Sequence, residues 1–299
     1  MRTVRGRHRA VTRALLRRLP LPTLEGDDDK EERGRVLVIG GSMLVPGAVL
    51  LAGIAALRAG AGKLQLATVR GAAVSLALAV PESLVLPLPA TSNGEIAGSR
   101  AAGPLRRYIT EADAVLIGPG MSGKRSLHAL LRSVVSRFGQ RAILVLDGAA
   151  VVALRNHTRL LASLAGRAVL TPHTGEMASL LGMDKSEVMK NAPAIAQHAA
   201  ARFGAVVVLK DAESWIAEPG GALFRYTGGS VGLGTSGSGD TLAGIVAGLA
   251  ATGAPPGPAA MWGVWTHGAA GRLLARRMGR VGFLARELLA EVPALVGRR

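Results

Sequence analysis

The 299-residue chain contains no cysteine, few aromatics, far fewer acids than bases, and no long uninterrupted apolar run. The missing cysteine removes disulfides, thiolate nucleophiles and cysteine-based zinc or iron–sulfur sites. No apolar core segment follows the basic residues Arg2, Arg5, Arg7 and Arg9, so no secretory signal is read. A reducing, cytoplasmic interior is the expected location. Gly53, Arg58, Gly60 and Gly62 interrupt the most hydrophobic helix, so no membrane span and no membrane partner are expected. With aromatics at 3%, a core must be assembled from Ala, Leu and Val, which suits tight helix-on-sheet layers.

Acidic residues number 20 against 36 lysines and arginines, giving a formal net charge of +16. All but six of the bases are arginine, with seven in residues 1–18 and seven in 272–299. They gather at the two ends rather than around one groove. There is no RNA-binding aromatic motif and no zinc-finger spacing, so nucleic acid is not an expected partner. Attraction of an anionic nucleotide is the better use of this field.

Residues 1–33 mix basic and acidic runs, ending in Asp27-Asp28-Asp29-Lys30-Glu31-Glu32, and read as a poorly ordered lead-in. From Gly34 to Arg299 the pattern becomes a single domain of short β-branched runs alternating with Ala/Leu helices. Strands are expected at Val36–Ile39, Lys63–Ala67, Leu84–Leu86, Ala114–Ile117, Ile143–Leu146, Ala168–Leu170 and Val206–Leu209. Helices are expected at Gly47–Ala59, Ser126–Phe138, about Ala192–Arg202, Thr241–Ala251, Pro258–Arg276 and Ala285–Val292. Continuous apolar strands separated by helices imply a mainly parallel sheet covered on both faces, a three-layer α/β/α domain. Ser214–Ala217 and Ala222–Tyr226 flank Pro219-Gly220-Gly221, a hairpin signal.

The strongest local signal is Gly232-Leu-Gly-Thr-Ser-Gly-Ser-Gly239-Asp240, immediately before an apolar helix. Glycines leave amides unshielded, and a helix start adds free N–H groups and partial positive charge, which together suit a phosphate. Asp240 falls at or beside the N-cap of that helix. Capping alone would explain it, but capping does not require five glycines between 229 and 239. Gly118-Pro-Gly-Met-Ser-Gly123-Lys124-Arg125 nearly spells a phosphate-binding loop, with Arg125 in place of the hydroxyl residue and Pro119 lacking an amide. A turn lining a substrate pocket at the carboxyl end of a strand fits it better. Gly40-Gly41-Ser42 lacks the third glycine of a dinucleotide turn, leaving close backbone approach and ligand contact as equal readings.

Thr171-Pro-His173-Thr-Gly-Glu176 follows a strand and precedes a helix, where polar residues meet ligands in open α/β sheets. His173 can donate to a substrate amide or hydroxyl. Glu176 can hold a Mg²⁺-bound water, or can complement the helix dipole. Lys210 ends a strand, as a phosphate contact or a solvent-reaching charge. Asp147 and His267 are further candidates, His267 reading as a helix-packing histidine in an Ala/Gly-rich helix. No G-x-S-x-G elbow supports serine hydrolysis.

Several stretches in this order resemble the ADP-dependent NAD(P)H-hydrate dehydratases, a ribokinase-like family. They are Gly34-Arg-Val-Leu-Val-Ile-Gly-Gly-Ser42, Pro46-Gly-Ala-Val-Leu-Leu-Ala-Gly53, Ala56-Leu-Arg-Ala-Gly-Ala-Gly62 and Ala114-Val-Leu-Ile-Gly-Pro-Gly120. Thr171-Pro-His-Thr-Gly-Glu176, Val206-Val-Val-Leu-Lys210 and Gly237-Ser-Gly-Asp-Thr-Leu-Ala-Gly244 complete the set. The likeness runs from about residue 12 to the C-terminus. It implies a ribokinase-like fold and a lyase reaction on the (S)-hydrate of NADH or NADPH that consumes ADP with Mg²⁺ and releases AMP and phosphate. It places substrate contacts on Ala48, Gly120, His173 and Asp240, with Asp240 catalytic. Nucleotide contacts fall on Lys210, Asp211, Ala212, Glu213, Ser214, Gly237, Ser238 and Gly239, and Glu176 becomes a metal residue acting through water. It further implies a homo-oligomer, a tetramer being one candidate form, paired functionally with a separate NAD(P)H-hydrate epimerase.

The chain departs from the family pattern at three places: Lys210-Asp211 stands for Lys-Gly, Asp147-Gly148-Ala149 for Asp-Ala-Asp, and Gly229-Ser230 for Gly-Asn. None touches Asp240. The rival activity is a ribokinase-like vitamin or sugar kinase, which would share the anion-binding loop. A nucleotide sensor or nucleic-acid binder without turnover is the non-catalytic alternative.

Overall fold

The computed structural model describes residues 8–22, 32–122 and 124–297, and of Lys124 and Arg125 the backbone alone. The acidic run Asp27–Glu31 and Gly123 lie outside the described residues. The elements are β1 (Arg9–Ala10), α1 (Arg13–Arg17), β2 (Arg35–Ile39), α2 (Gly47–Arg58), β3 (Lys63–Val69), α3 (Arg70–Ala79), β4 (Ser83–Leu88) and α4 (Gly98–Glu111). Next come β5 (Ala114–Ile117), α5 (Lys124–Val135), β6 (Ile143–Leu146), α6 (Ala149–Val152), β7 (Ala168–Leu170), α7 (Thr174–Leu181), α8 (Lys185–Lys190) and α9 (Ala192–Phe203). The last group is β8 (Val206–Leu209), β9 (Ser214–Ala217), β10 (Leu223–Tyr226), α10 (Ser238–Ala251), α11 (Pro256–Met278) and α12 (Ala285–Gly297).

Among the described residues one ten-stranded sheet runs in the order β1-β10-β9-β8-β7-β6-β5-β2-β3-β4. The strands from β4 across to β8 are parallel, and β9 turns back between β8 and β10 as the hairpin signal requires. Both sheet faces are covered. Along β2, Val36 and Val38 join one core with α1, α2, α10, α11 and α12, whereas Leu37 and Ile39 join the other with α4, α5, α7 and α9. Strands buried on both faces carry continuous apolar runs, which is why the short Val/Ile/Leu segments were legible as strands.

Two packing details position the site. Helix α10 lies so close to α2 that a Cβ on Gly244 or Gly248 would collide with the carbonyl oxygens of Ala52 and Ala56. The small residues of this pair set how closely α10 lies against α2. Chain order also reverses at β2, which is flanked by β3 on one side and β5 on the other. Ligands of open α/β sheets bind at such a switch, outside the carboxyl ends of the strands.

The N-terminal segment corrects the expectation of a poorly ordered lead-in through residue 33. Residues 8–22 are packed: Arg9 and Ala10 pair with Phe224 and Arg225, and Thr12 caps α1 by accepting from the Leu15 amide. Leu15, Leu16 and Leu21 are buried in the core beside α11, and the Trp262 indole N–H donates to the Leu19 carbonyl at 2.8 Å. Helix α10 also begins three residues earlier than expected. Its N-cap is Gly237, with φ of 85°, and no side chain caps it, so Asp240 stands inside the first turn rather than at the cap.

Candidate active site

A cleft of about 910 Å³ opens at the carboxyl ends of β5 to β8 and is closed on its far side by the glycine loop and α11. Its lining includes Gly118, Gly120, Asp147, His173, Glu176, Lys210, Asp211, Ala212, Ser214, Ser238, Gly239, Asp240 and His267. Three of the residues assigned by resemblance do not line it. Ala48 is buried under the Gly120 turn, Glu213 pairs with Arg225 outside, and Gly237 backs onto Leu51 and Ala285.

Lys210 is the hub. Its ammonium lies 2.6 Å from Asp147 Oδ1, which also accepts from the Thr171 hydroxyl at 2.6 Å. Burial pulls the lysine pKa down, but Asp147, Glu176 and Asp240 together raise it above its ordinary value, so it stays charged. Its Nζ would lie within 2.9 Å of a Cβ on Gly239, and glycine there lets the cation reach the first turn of α10. The first-turn amides of a helix lack partners inside it, so a lysine, a helix N-terminus and a glycine loop converge on one space.

Asp240 faces that space. Burial, and then repulsion from Asp147, push its pKa up to about 6, with Lys210 opposing. A carboxylate held near neutrality takes up a proton at working pH more readily than an ordinary aspartate does. Glu176 is likewise raised by burial, with Asp147 adding to it and Lys210 opposing.

The Thr171–Glu176 turn has a structural duty as well. His173 is the N-cap of α7: its Nδ1 accepts from the amides of Gly175 at 2.9 Å and Glu176 at 3.2 Å. Glu176 Oε2 accepts from the His173 amide at 2.9 Å, completing a capping box. His173 Nε2 lies 3.2 Å from Glu176 Oε1, and the half-exposed ring lines the cleft. The helix-start reading of Glu176 is therefore realised, with the carboxylate in the first turn of α7.

The departures from the family pattern find places. Asp211 accepts from the Thr174 hydroxyl and from the Ala212 amide, tying the end of β8 to the start of α7. Gly148 adopts φ 56° and ψ −130°, a conformation for which glycine is suited, and follows Asp147 directly. Ser230 accepts from the Gly232 amide. In the Gly40-Gly41-Ser42 turn, close approach explains the glycines: Gly41 N donates to the Pro119 carbonyl at 2.7 Å, and a Cβ on Gly40 would collide with that oxygen.

Tyr226 and Lys185, which line the cleft, had no role in the sequence reading, and Thr171 entered it only as part of its motif, whereas its hydroxyl donates to Asp147. Sequence reasoning also read His267 as packing, whereas Nε2 lies 2.9 Å from Ser238 Oγ in the cleft wall. The small residues around it, Gly263, Gly268 and Gly271, were the available signal of an unusually close helix approach.

The donor set bears on Mg²⁺. Among the described residues no group of three His, Asp or Glu side chains is arranged to cage a metal. Asp147, Glu176 and Asp240 nevertheless share one ammonium, and burial and mutual repulsion raise two of them. That set fits a hard cation which keeps its waters and draws further oxygens from a phosphate.

A family model described as NAD(P)H-hydrate dehydratase matches residues 36–294. An ADP-dependent (S)-NAD(P)H-hydrate dehydratase of Xanthomonas campestris pv. campestris is 50% identical over 292 residues, covering 98% of this chain and 97% of that protein. A bifunctional NAD(P)H-hydrate repair enzyme of Moorella thermoacetica is 40% identical, and the chain spans about half (52%) of its length. Among solved structures, a ribokinase-like superfamily protein of Enterococcus faecalis superposes with a TM-score of 0.83 at 26% identity, covering 97% of this chain and 96% of that one. An ADP/ATP-dependent NAD(P)H-hydrate dehydratase of Bacillus subtilis, co-crystallised with ATP and Mg²⁺, gives 0.79 at 26% identity, covering 97% and 98%. The fold is ribokinase-like, and the chain belongs to the NAD(P)H-hydrate dehydratase family.

Proposed function

We propose that this enzyme dehydrates the (S)-hydrate of NADH or NADPH at the expense of ADP, restoring the reduced nicotinamide and releasing AMP and phosphate. The observation that carries the reading is the cleft in which Asp240, raised to about 6, stands in the first turn of α10 beside Lys210. An anion hole and a base near neutrality meet there, in a chain 50% identical to an enzyme of this name.

The ADP phosphates lie against Lys210, the Gly239 and Asp240 amides and the Ser238 hydroxyl. Ala212 and Ser214, with Asp211, line the nucleoside end, and Gly120 and His173 face the hydrate. Ala48 and Gly237 act from behind, shaping the Gly120 turn and the loop. Glu213 acts through its ion pair with Arg225, bracing the nucleotide segment. Asp240 accepts the hydroxyl proton of the hydrate as that oxygen forms a bond to the terminal phosphorus of ADP and AMP departs. The lysine, the amides and the helix dipole hold the negative charge that develops. Phosphate then leaves with the carbon–oxygen bonding pair, pushed by the ring nitrogen lone pair. Loss of a proton from the neighbouring carbon restores the double bond. Phosphate leaves far more readily than hydroxide, which is the chemical reason to consume a nucleotide. Mg²⁺, held through water by Glu176 and Asp147, would neutralise phosphate charge when bound.

The hydrated carbon is stereogenic, so a site that accepts one hand needs a separate NAD(P)H-hydrate epimerase to use both. A homo-oligomer belongs to the same proposal: Val74 and Leu78 of α3 and Leu84 of edge strand β4 stand 73%, 80% and 50% exposed, an apolar surface that subunits cover. No helix among the described residues is long and apolar enough to cross a membrane. We place the enzyme in the cytoplasm, where its nucleotide substrates are. Product analysis tests the activity: hydrated NADH and ADP should yield reduced-cofactor absorbance together with AMP. A stable phosphorylated product would instead establish the kinase reading.

A further inference from the structure

His267 is a partly buried titratable group in the cleft wall that the reaction above does not use. It sits in mid-α11, a helix whose Gly263 and Gly268 admit Val246 and Tyr226 so closely that a Cβ would collide with them. The imidazole thereby reaches the first turn of α10, where Nε2 meets Ser238 Oγ at 2.9 Å. Ser238 is itself buried, 4% exposed, two residues before Asp240, and both side chains line the cleft. Burial first, and then the nearby charge of Lys210, hold the imidazole at about 4, so it is neutral with one N–H and one lone pair.

The direction of this hydrogen bond decides what Ser238 offers to the cleft. If the serine donates to a bare Nε2, its lone pairs face the incoming phosphate and repel it. If Nε2 carries the hydrogen and donates, the serine hydrogen is left for a phosphate oxygen. We propose that His267 is a positioning residue that donates from Nε2 to Ser238 Oγ and so turns the serine hydroxyl hydrogen onto the terminal phosphate of the nucleotide. The inference rests on the nucleotide reading of this cleft.

The test is a thermodynamic cycle read by titrating ADP with Mg²⁺ into the full chain and its variants. Ser238→Ala and His267→Leu are each expected to weaken ADP by roughly ten-fold, the worth of one hydrogen bond to a charged group. The double variant should bind no more weakly than Ser238→Ala alone, because the histidine acts through the serine. His267→Gln, whose amide nitrogen reaches the place of Nε2, should restore most of the affinity. Losses that multiply in the double variant, or a glutamine variant as weak as the leucine one, overturn the assignment. Should His267→Leu not fold, His267→Asn, too short to reach Ser238, carries the same cycle. A parent chain that binds no ADP sinks the nucleotide reading itself, whereas a parent that binds ADP with independent losses sinks the role of His267.

Discussion

Replacing Lys210 by methionine removes the ammonium that Asp147, Glu176 and Asp240 share, and the consequence appears in the pH profile. In the intact chain Asp240 titrates at about 6, raised by burial and by Asp147 and lowered by Lys210. Lys210 pairs with Asp147 rather than with Asp240, so its loss should move the Asp240 carboxyl by about 1 unit, the low end for a neighbouring opposite charge. The acid limb of kcat/KM, which reports the free enzyme, should therefore climb from about 6 to about 7. At a pKa of about 7, roughly half of the base is ionised at pH 7, about a two-fold loss beyond any weakening of phosphate binding. Asp147→Asn makes the opposite change. It removes a like charge and releases Lys210 toward Asp240, so the limb should move below 6. The assay is reduced-nicotinamide recovery from hydrated NADH at subsaturating substrate across the pH range. Opposite displacement of the two limbs is the expected result. A limb fixed in both variants, or moving the same way, would refute Asp240 as the titrating base.

Asp240→Asn should stabilise the fold at pH 7–8 by about 1–3 kcal/mol, because the parent holds a buried ionised carboxylate whose folded pKa exceeds its unfolded value. The parent's stability is full below about 4 and falls as pH rises through 6, so the difference in melting temperature should vanish in acid. Glu176→Gln keeps an acceptor for the His173 amide and should leave the melting temperature within a few degrees. It should raise the Mg²⁺ concentration needed for half-maximal activity several-fold, seen by titrating Mg²⁺ at fixed ADP. Gly248→Ala forces a methyl group against the Ala56 carbonyl and should cost about 1–3 kcal/mol in thermal unfolding. Removing residues 1–22 strips buried Leu15, Leu16 and Leu21 from the core and should lower the melting temperature markedly, each leucine contributing about 1.5–3 kcal/mol.

The central strands were legible because burial on both faces leaves runs such as Val36–Ile39 and Val206–Leu209 without polar interruption. The hairpin at Ser214–Tyr226 announced itself through Pro219-Gly220-Gly221. Helix α4 was not recovered, since Gly98, Gly103 and Pro104 mask its apolar stripe of Ala101, Leu105 and Ile109. Helix α12 runs through Pro293, beyond the Val292 end that a proline suggests. Residues 8–22 defeated composition because their order comes from partners in β10 and α11, more than two hundred residues away.

At the site, Asp240, Lys210, His173 and Glu176 were legible from their places at strand ends and at a helix start. What strings of letters could not give is their convergence: Asp147 clamping Lys210, Asp211 tied to Thr174, and His267 turned onto Ser238. Those contacts join residues between 29 and 63 positions apart, and they depend on sheet order rather than local pattern.

The most direct measurement compares turnover and ADP affinity in Asp240→Asn. Losing a positioned general base should lower recovery of reduced nicotinamide by ~10²–10⁴-fold while ADP still binds within a few-fold of the parent. Turnover within a few-fold of the parent would contradict the account, because the proton would then have another acceptor.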